Sequence, residues 1–140
     1  MARGLRRAIS MMSTVADIMN PKLLYISEGD RLSLARAQIL KFGITAVPVL
    51  DVCHRPVGMV SLRDLDGSEE LASAGTPVHT VQSVASLQEG ARALATSGAH
   101  DLVVVDESGV AVGIVSALDF VRALVGAPVP HPPAFERYKP

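Results

Sequence analysis

Apolar positions along this chain fall into two rhythms, one helical and one strand-like, and the whole pattern occurs twice. "AVPVLD" (46–51) and "DLVVVD" (101–106) are unbroken β-rich runs, the signature of strands covered on both faces. Ahead of the first, Leu32, Ala35, Ile39 and Leu40 keep helical spacing, with Asp30 as the predicted N-cap and Gly43 as the stop. Ahead of the second, Leu87, Ala91 and Leu94 do the same, with Ser86 and Glu89 at capping-box spacing and Gly98 as the stop. "LLYI" and "HTV" are short strand candidates before these helices. The turns "VCHRP" and "ESG" lead into "VGMVS" and "AVGIVS", each closing an antiparallel hairpin with the run before it. The preceding helix is then a crossover, right-handed if it joins parallel strands. Each copy reads β-α-β-β-α.

The two copies register at a spacing of 55 positions: Leu32 with Leu87, Ile39 with Leu94, Gly43 with Gly98, Asp51 with Asp106, Gly58 with Gly113. Pro21 and Pro77 fall one residue out of step. Two copies point to a pseudo-symmetric pair. The last helix of the first copy, within "LRDLDGSEELASAG", is weakened by Gly67, whereas "ALDFVRALVG" in the second closes on Gly126 and Pro128. "STVADIMNP" makes a short helix with Thr14 and Asp17 in capping-box positions. The expected organisation is a lead-in over 1–14, a first repeat over 15–74, a second over 75–126 and a proline-rich tail over 127–140.

Composition narrows the function classes. A chain of 140 residues, 49% apolar but only 4% aromatic and without Trp, packs its core from Val, Leu, Ile and Ala, as compact α/β domains do. Thirteen basic residues against fourteen acidic ones leave no global field for nucleic acid or an anionic membrane, and Arg3, Arg6 and Arg7 read as a solvated lead-in. A single cysteine, Cys53, excludes an internal disulfide and fits a reducing compartment. No apolar run reaches the roughly 18 residues of a membrane span, and "AISMMSTVADIMN" is too interrupted for a signal peptide. A cytoplasmic protein is expected. The histidines at 54, 79, 100 and 131 are scattered without zinc-site spacing, and neither a phosphate-binding glycine loop nor a G-x-S-x-G elbow occurs. No enzyme, metal site or cofactor is expected.

The remaining chemistry lies in "GMVSLRD" (58–64) and "GIVSALD" (113–119), where an apolar strand twice runs into Gly-x-x-Ser-x-x-Asp. Ser followed three residues later by an acid begins many helices, with the hydroxyl as cap and the acid at the positive end of the dipole. The same corner can also serve a ligand, through free N–H groups for an anion, a carboxylate for a diol such as ribose, and a hydroxyl for phosphate or sugar. The glycines remove side chains just upstream. Capping and binding are compatible.

With "VADIMNP", "GITAVPVLD" and "GMVSLRDL" in this order and then a second copy, the chain resembles a tandem pair of cystathionine β-synthase (CBS) domains, a Bateman module, over Val15 to Val125. The resemblance implies two CBS repeats packed as a pseudo-twofold pair, with clefts between them for an adenine nucleotide or an adenosyl ligand such as S-adenosylmethionine. It implies that Ser116 and Asp119 work with Ile44, Thr45 and Ala46, and that Ser61 and Asp64 face Thr80, Ala99, His100 and Asp101. The resemblance also implies a phosphate contact from Arg63 on the Asp64 side; Leu118 holds the matching place in the second copy, and Val103 replaces the proline of "AVPVLD". The implied protein is a regulatory energy or metabolite sensor, a homodimer acting through an unidentified protein partner. The alternative is a ligand-independent interaction module with decayed clefts.

Overall fold

A computed structural model describes residues 13–61 and 77–128. Among them the chain forms α1 (Val15–Ile18), β1 (Ile26–Ser27), α2 (Leu32–Phe42), β2 (Ala46–Leu50), β3 (Pro56–Ser61), β4 (Thr80–Gln82), α3 (Leu87–Ser97), β5 (Asp101–Val105), β6 (Ala111–Ser116) and α4 (Ala117–Leu124). The strands make two three-stranded sheets, β1-β2-β3 and β4-β5-β6. β1 runs parallel to β2 and β4 parallel to β5, so α2 and α3 are crossover helices, while β2 and β3 are antiparallel. The mixed α/β class and the doubled β-α-β-β order follow the sequence pattern. The final helix expected in the first copy, the arginines of the lead-in and the tail beyond Pro128 lie outside the described residues.

The chain divides into two compact units. The first comprises described residues 13–21, 79–108 and 112–128. Its core is built from Val15 and Ile18, Val81, Leu87 and Leu94, Leu102 and Val104, Val115, Phe120 and Ala123. The segment at the head of the first repeat therefore packs with the second. Val15 N–H donates to Ala85 O (2.9 Å), Ala16 N–H to Ser83 O (3.0 Å) and Asn20 N–H to Ile114 O (2.8 Å). The second unit takes in residues 22–61, 77–78 and 109–111 and closes on Leu24, Ile26, Leu32, Ala35, Ile39, Val47, Val49 and Val60. The turn of the second repeat contributes to it, since Ala111 N–H donates to His54 O (2.9 Å).

Both crossover helices end where glycine permits a left-handed turn, Gly43 at φ 64° and Gly98 at φ 71°. Their starts differ. Ser86 Oγ accepts from Glu89 N–H (3.1 Å), the N-cap bond its spacing predicts. Ser86→Ala is expected to lower the stability of this unit by about 1 kcal/mol, read as a lower urea midpoint at unchanged slope.

Asp30 corrects the expectation for the other start: α2 begins after Arg31, and Asp30 Oδ2 instead accepts from Ser27 N–H (2.8 Å), closing the turn after β1. That bond is local and competes directly with capping. "LLYI" also forms less strand than expected, because the parallel ladder engages only Ile26 with Val49 and Ser27 with Leu50. Asp51 and Asp106, matched in the repeat, do matching work: Oδ1 of Asp51 accepts from Cys53 and Arg55 N–H (2.8 and 2.9 Å), and Oδ1 of Asp106 from Ser108 N–H (2.8 Å). Each fastens the turn of its hairpin.

Candidate functional site

In the first unit the candidate residues gather where β5 begins and β6 passes into α4. Ser116 ends β6 with extended backbone and serves as the N-cap of α4. The predicted capping box is complete: Asp119 N–H donates to Ser116 Oγ (3.2 Å) and Ser116 N–H donates to Asp119 Oδ2 (2.9 Å). Ala117 N–H donates to His100 O (3.0 Å), fastening the head of α4 to the residue before β5. His100 is exposed and Ala99 half-buried against the core. Thr80, exposed at the start of β4, stands opposite Val103 on β5.

This corner carries two carboxylates. Asp119 is only 7% exposed, the one charged residue buried among the described residues. Its Oδ1 lies 3.9 Å from Arg122 Nη1, a loose pair one turn along the helix. Burial pushes the Asp101 carboxyl above the ordinary aspartate value; the His100 imidazole pulls it back, and the charge of Asp119 adds to the rise. Asp101 therefore shares the electrostatic environment of Asp119. Arg122 escaped the sequence reading, although its three-residue spacing from Asp119 carried the signal.

In the second unit the two strands that carry candidates are neighbours. Ala46, the first residue of β2, stands opposite Ser61, the last of β3. Ile44 packs on the core and Thr45 is exposed. Arg63 and Asp64 lie outside the described residues. Within each unit, then, the Ser-x-x-Asp strand ends beside the start of the preceding strand, by Ala46 and Ser61 in one and by His100 and Ala117 in the other.

Two sequence expectations change. The helix N-terminus of the second copy offers fewer open backbone donors than expected, because three of the four N–H groups from Ser116 to Asp119, those of Ser116, Ala117 and Asp119, are engaged. Gly113 also has a packing reason of its own: a Cβ there would lie 2.8 Å from the carbonyl oxygen of Asn20. Elsewhere, Tyr25 meets His54 edge-on at 5.4 Å, in keeping with a packing role, and Cys53 is exposed. Gln38 is fully buried on α2, its Nε2 donating to Tyr25 O (3.1 Å), a placement the helical pattern did not reveal. Among the described residues no group of three or more His, Cys, Asp or Glu side chains is disposed to hold a metal, and no helix is long and apolar enough to cross a membrane.

A doubled β-α-β-β frame, with a Ser-x-x-Asp corner described where β6 enters α4, finds its match in one family. The CBS domain family model matches residues 15–67 and again 70–126, and the chain belongs to this family as a tandem pair. Over 113 residues it is 29% identical to the UPF0053 protein MG146 homolog of Mycoplasma pneumoniae; the match covers 75% of this chain but 27% of that protein, so the chain spans about a quarter of its relative's length. The structure is similar to that of CBSX2 in complex with AMP, with a TM-score of 0.72 and 25% identity, covering 81% of this chain and 96% of the other. It is also similar to the CBS domain of a bacterial CNNM/CorC family Mg2+ transporter in complex with ATP, with a TM-score of 0.76 and 21% identity, covering 90% and 96%.

Proposed function

We propose that this chain is a regulatory module that binds an adenine nucleotide or a related adenosyl ligand and works as an energy or metabolite sensor without catalysing a reaction. The observation that carries the reading is Asp119: a nearly buried carboxylate, fixed by a capping box at a strand-to-helix corner, in a CBS pair similar to a protein crystallised with AMP. A carboxylate held in this way is preorganised to accept hydrogen bonds from the two hydroxyls of a ribose. In this reading Ser116 and Asp119 form one half-site, and Ser61, Arg63 and Asp64 form the other. Output passes through a homodimer and a protein partner in the cytoplasm, since a ligand shifts association only by binding one state better than another.

The test is titration with AMP, ADP, ATP, S-adenosylmethionine and NADH by calorimetry and thermal shift, after any co-purified ligand has been identified by mass spectrometry. A ligand at one hundred times its Kd stabilises the fold by about 2.7 kcal/mol, so a clear rise in melting temperature is expected with at least one adenine compound. Silence from all of them at millimolar concentration removes the sensor reading.

A second reading, a ligand-independent interaction module, draws on α4. Leu118, Val121 and Leu124 along it and Val125 at its C-cap are each more than half exposed, while Phe120 and Ala123 face the core. A helix apolar on both sides suits a covered position. Partner capture that no adenine compound alters would favour this reading.

A further inference from the structure

We infer that the half-site built on Ser116 and Asp119 discriminates by charge, taking unphosphorylated or cationic adenosyl compounds in preference to nucleoside phosphates, and that Asp101 is the residue that sets the preference. The inference rests on the reading of Asp119 as a ribose acceptor. It goes further by selecting within that ligand class.

A helix N-terminus receives phosphate when its backbone N–H groups are open and no negative charge stands beside them. The head of α4 meets neither condition well, with three of the four N–H groups from Ser116 to Asp119 engaged and two carboxylates beside them. Ser116 N–H is held by Asp119 Oδ2 (2.9 Å), Ala117 N–H by His100 O (3.0 Å) and Asp119 N–H by Ser116 Oγ (3.2 Å). A phosphate would have to break these bonds or bind without them.

The charges point the same way. Asp119 and Asp101 place two carboxylates at this corner, close enough that one raises the other. A phosphate would bring a third negative group into a partly desolvated space, where charges interact more strongly than in water. The cations are poorly placed to offset it. Arg122 is already turned toward Asp119 Oδ1 at 3.9 Å, and the His100 imidazole already acts on Asp101. Leu118 occupies the position next to Asp119 where the first repeat has Arg63. Ribose hydroxyls, by contrast, are donors and suit carboxylates, and a sulfonium or ammonium group on the ligand gains from the same field.

The experiment is calorimetric titration of the full chain carrying Asp64→Ala, which disables the other proposed half-site, with adenosine, S-adenosylmethionine, AMP and ATP. Adenosine and S-adenosylmethionine are expected to bind at least about tenfold more tightly than AMP and ATP. Adding Asp101→Asn should tighten AMP and change adenosine less than about twofold, closing most of that gap. Equal affinity for adenosine and AMP in the Asp64→Ala chain, or an Asp101→Asn change that moves both ligands alike, overturns the charge assignment while leaving the ligand reading intact. If no adenine compound binds the unaltered chain either, the ligand reading itself falls and this inference with it. A thermal melt checks folding: Asp101→Asn should melt no lower than its parent at neutral pH, because the neutral amide has no charge to desolvate.

Discussion

Gly113→Val is expected to destabilise the unit built on the second repeat by about 3 kcal/mol or more, enough to unfold a marginal domain at physiological temperature. A Cβ at this position would meet Met19 Sδ at 2.6 Å, Asn20 O at 2.8 Å and Met19 Cγ at 3.0 Å. The methionine is flexible and can swing aside. The carbonyl has no such freedom, since Ile114 N–H donates to it (3.1 Å) and Asn20 N–H returns a bond to Ile114 O (2.8 Å). A side chain at 113 must therefore push apart a backbone bridge, and each bond lost adds about 1 kcal/mol to the overpacking. Urea denaturation followed by circular dichroism measures the loss, with Gly113→Ala expected at a smaller value in the same direction. An unchanged midpoint for the valine variant would show that the Met19–Asn20 segment does not pack against β6 in solution.

This result would also reassign part of the Gly-x-x-Ser-x-x-Asp motif. In the second copy its glycine serves the approach of another stretch of the same chain, whereas its Ser and Asp fasten the helix that follows. One seven-residue pattern thus joins three structural tasks: strand packing, helix initiation and, in the proposed function, ligand acceptance. The tasks meet here because a strand that enters a helix with its last residue as the cap brings a buried backbone, a charged side chain and a half-exposed hydroxyl within a few residues.

What the sequence revealed follows the range of the interactions. Gly43 and Gly98, the buried runs of β2 and β5, and the Ser116–Asp119 box depend on neighbours within a few positions, and all were legible from spacing alone. The failure at Asp30 was also local: its side chain had two nearby backbone partners, and the turn after β1 won over the helix. Other features depend on residues far apart in the chain. That Val15 and Ile18 join the core of the second repeat is fixed by bonds to Ser83, Ala85 and Ile114, some 65 to 95 positions away, which periodicity does not encode. Likewise Asp101 looked like a feature of one proposed cleft, and only the fold brings it beside Asp119 of the other.

Asp119→Ala is expected to lower stability and ligand affinity together, and Asp119→Asn to separate the two. Alanine removes the acceptor of Ser116 N–H, a loss of about 1–2 kcal/mol. Asparagine retains an amide oxygen in the same place, so its melting temperature should stay close to that of the unaltered chain. The neutral side chain is also freed from the repulsion of Asp101. Affinity responds differently, because a hydrogen bond from a ribose hydroxyl to a carboxylate is worth about 1.5–3 kcal/mol, more than one to a neutral amide. Adenosine should therefore bind about tenfold or more weakly to Asp119→Asn, and weaker still to Asp119→Ala, in titrations run well below both melting temperatures. If Asp119 only capped α4, asparagine would restore binding along with stability, and the alanine variant would lose affinity no faster than it lost folded protein. A carboxylate that is replaceable in the fold but not in the ligand titration would identify Asp119 as a binding residue that also caps a helix.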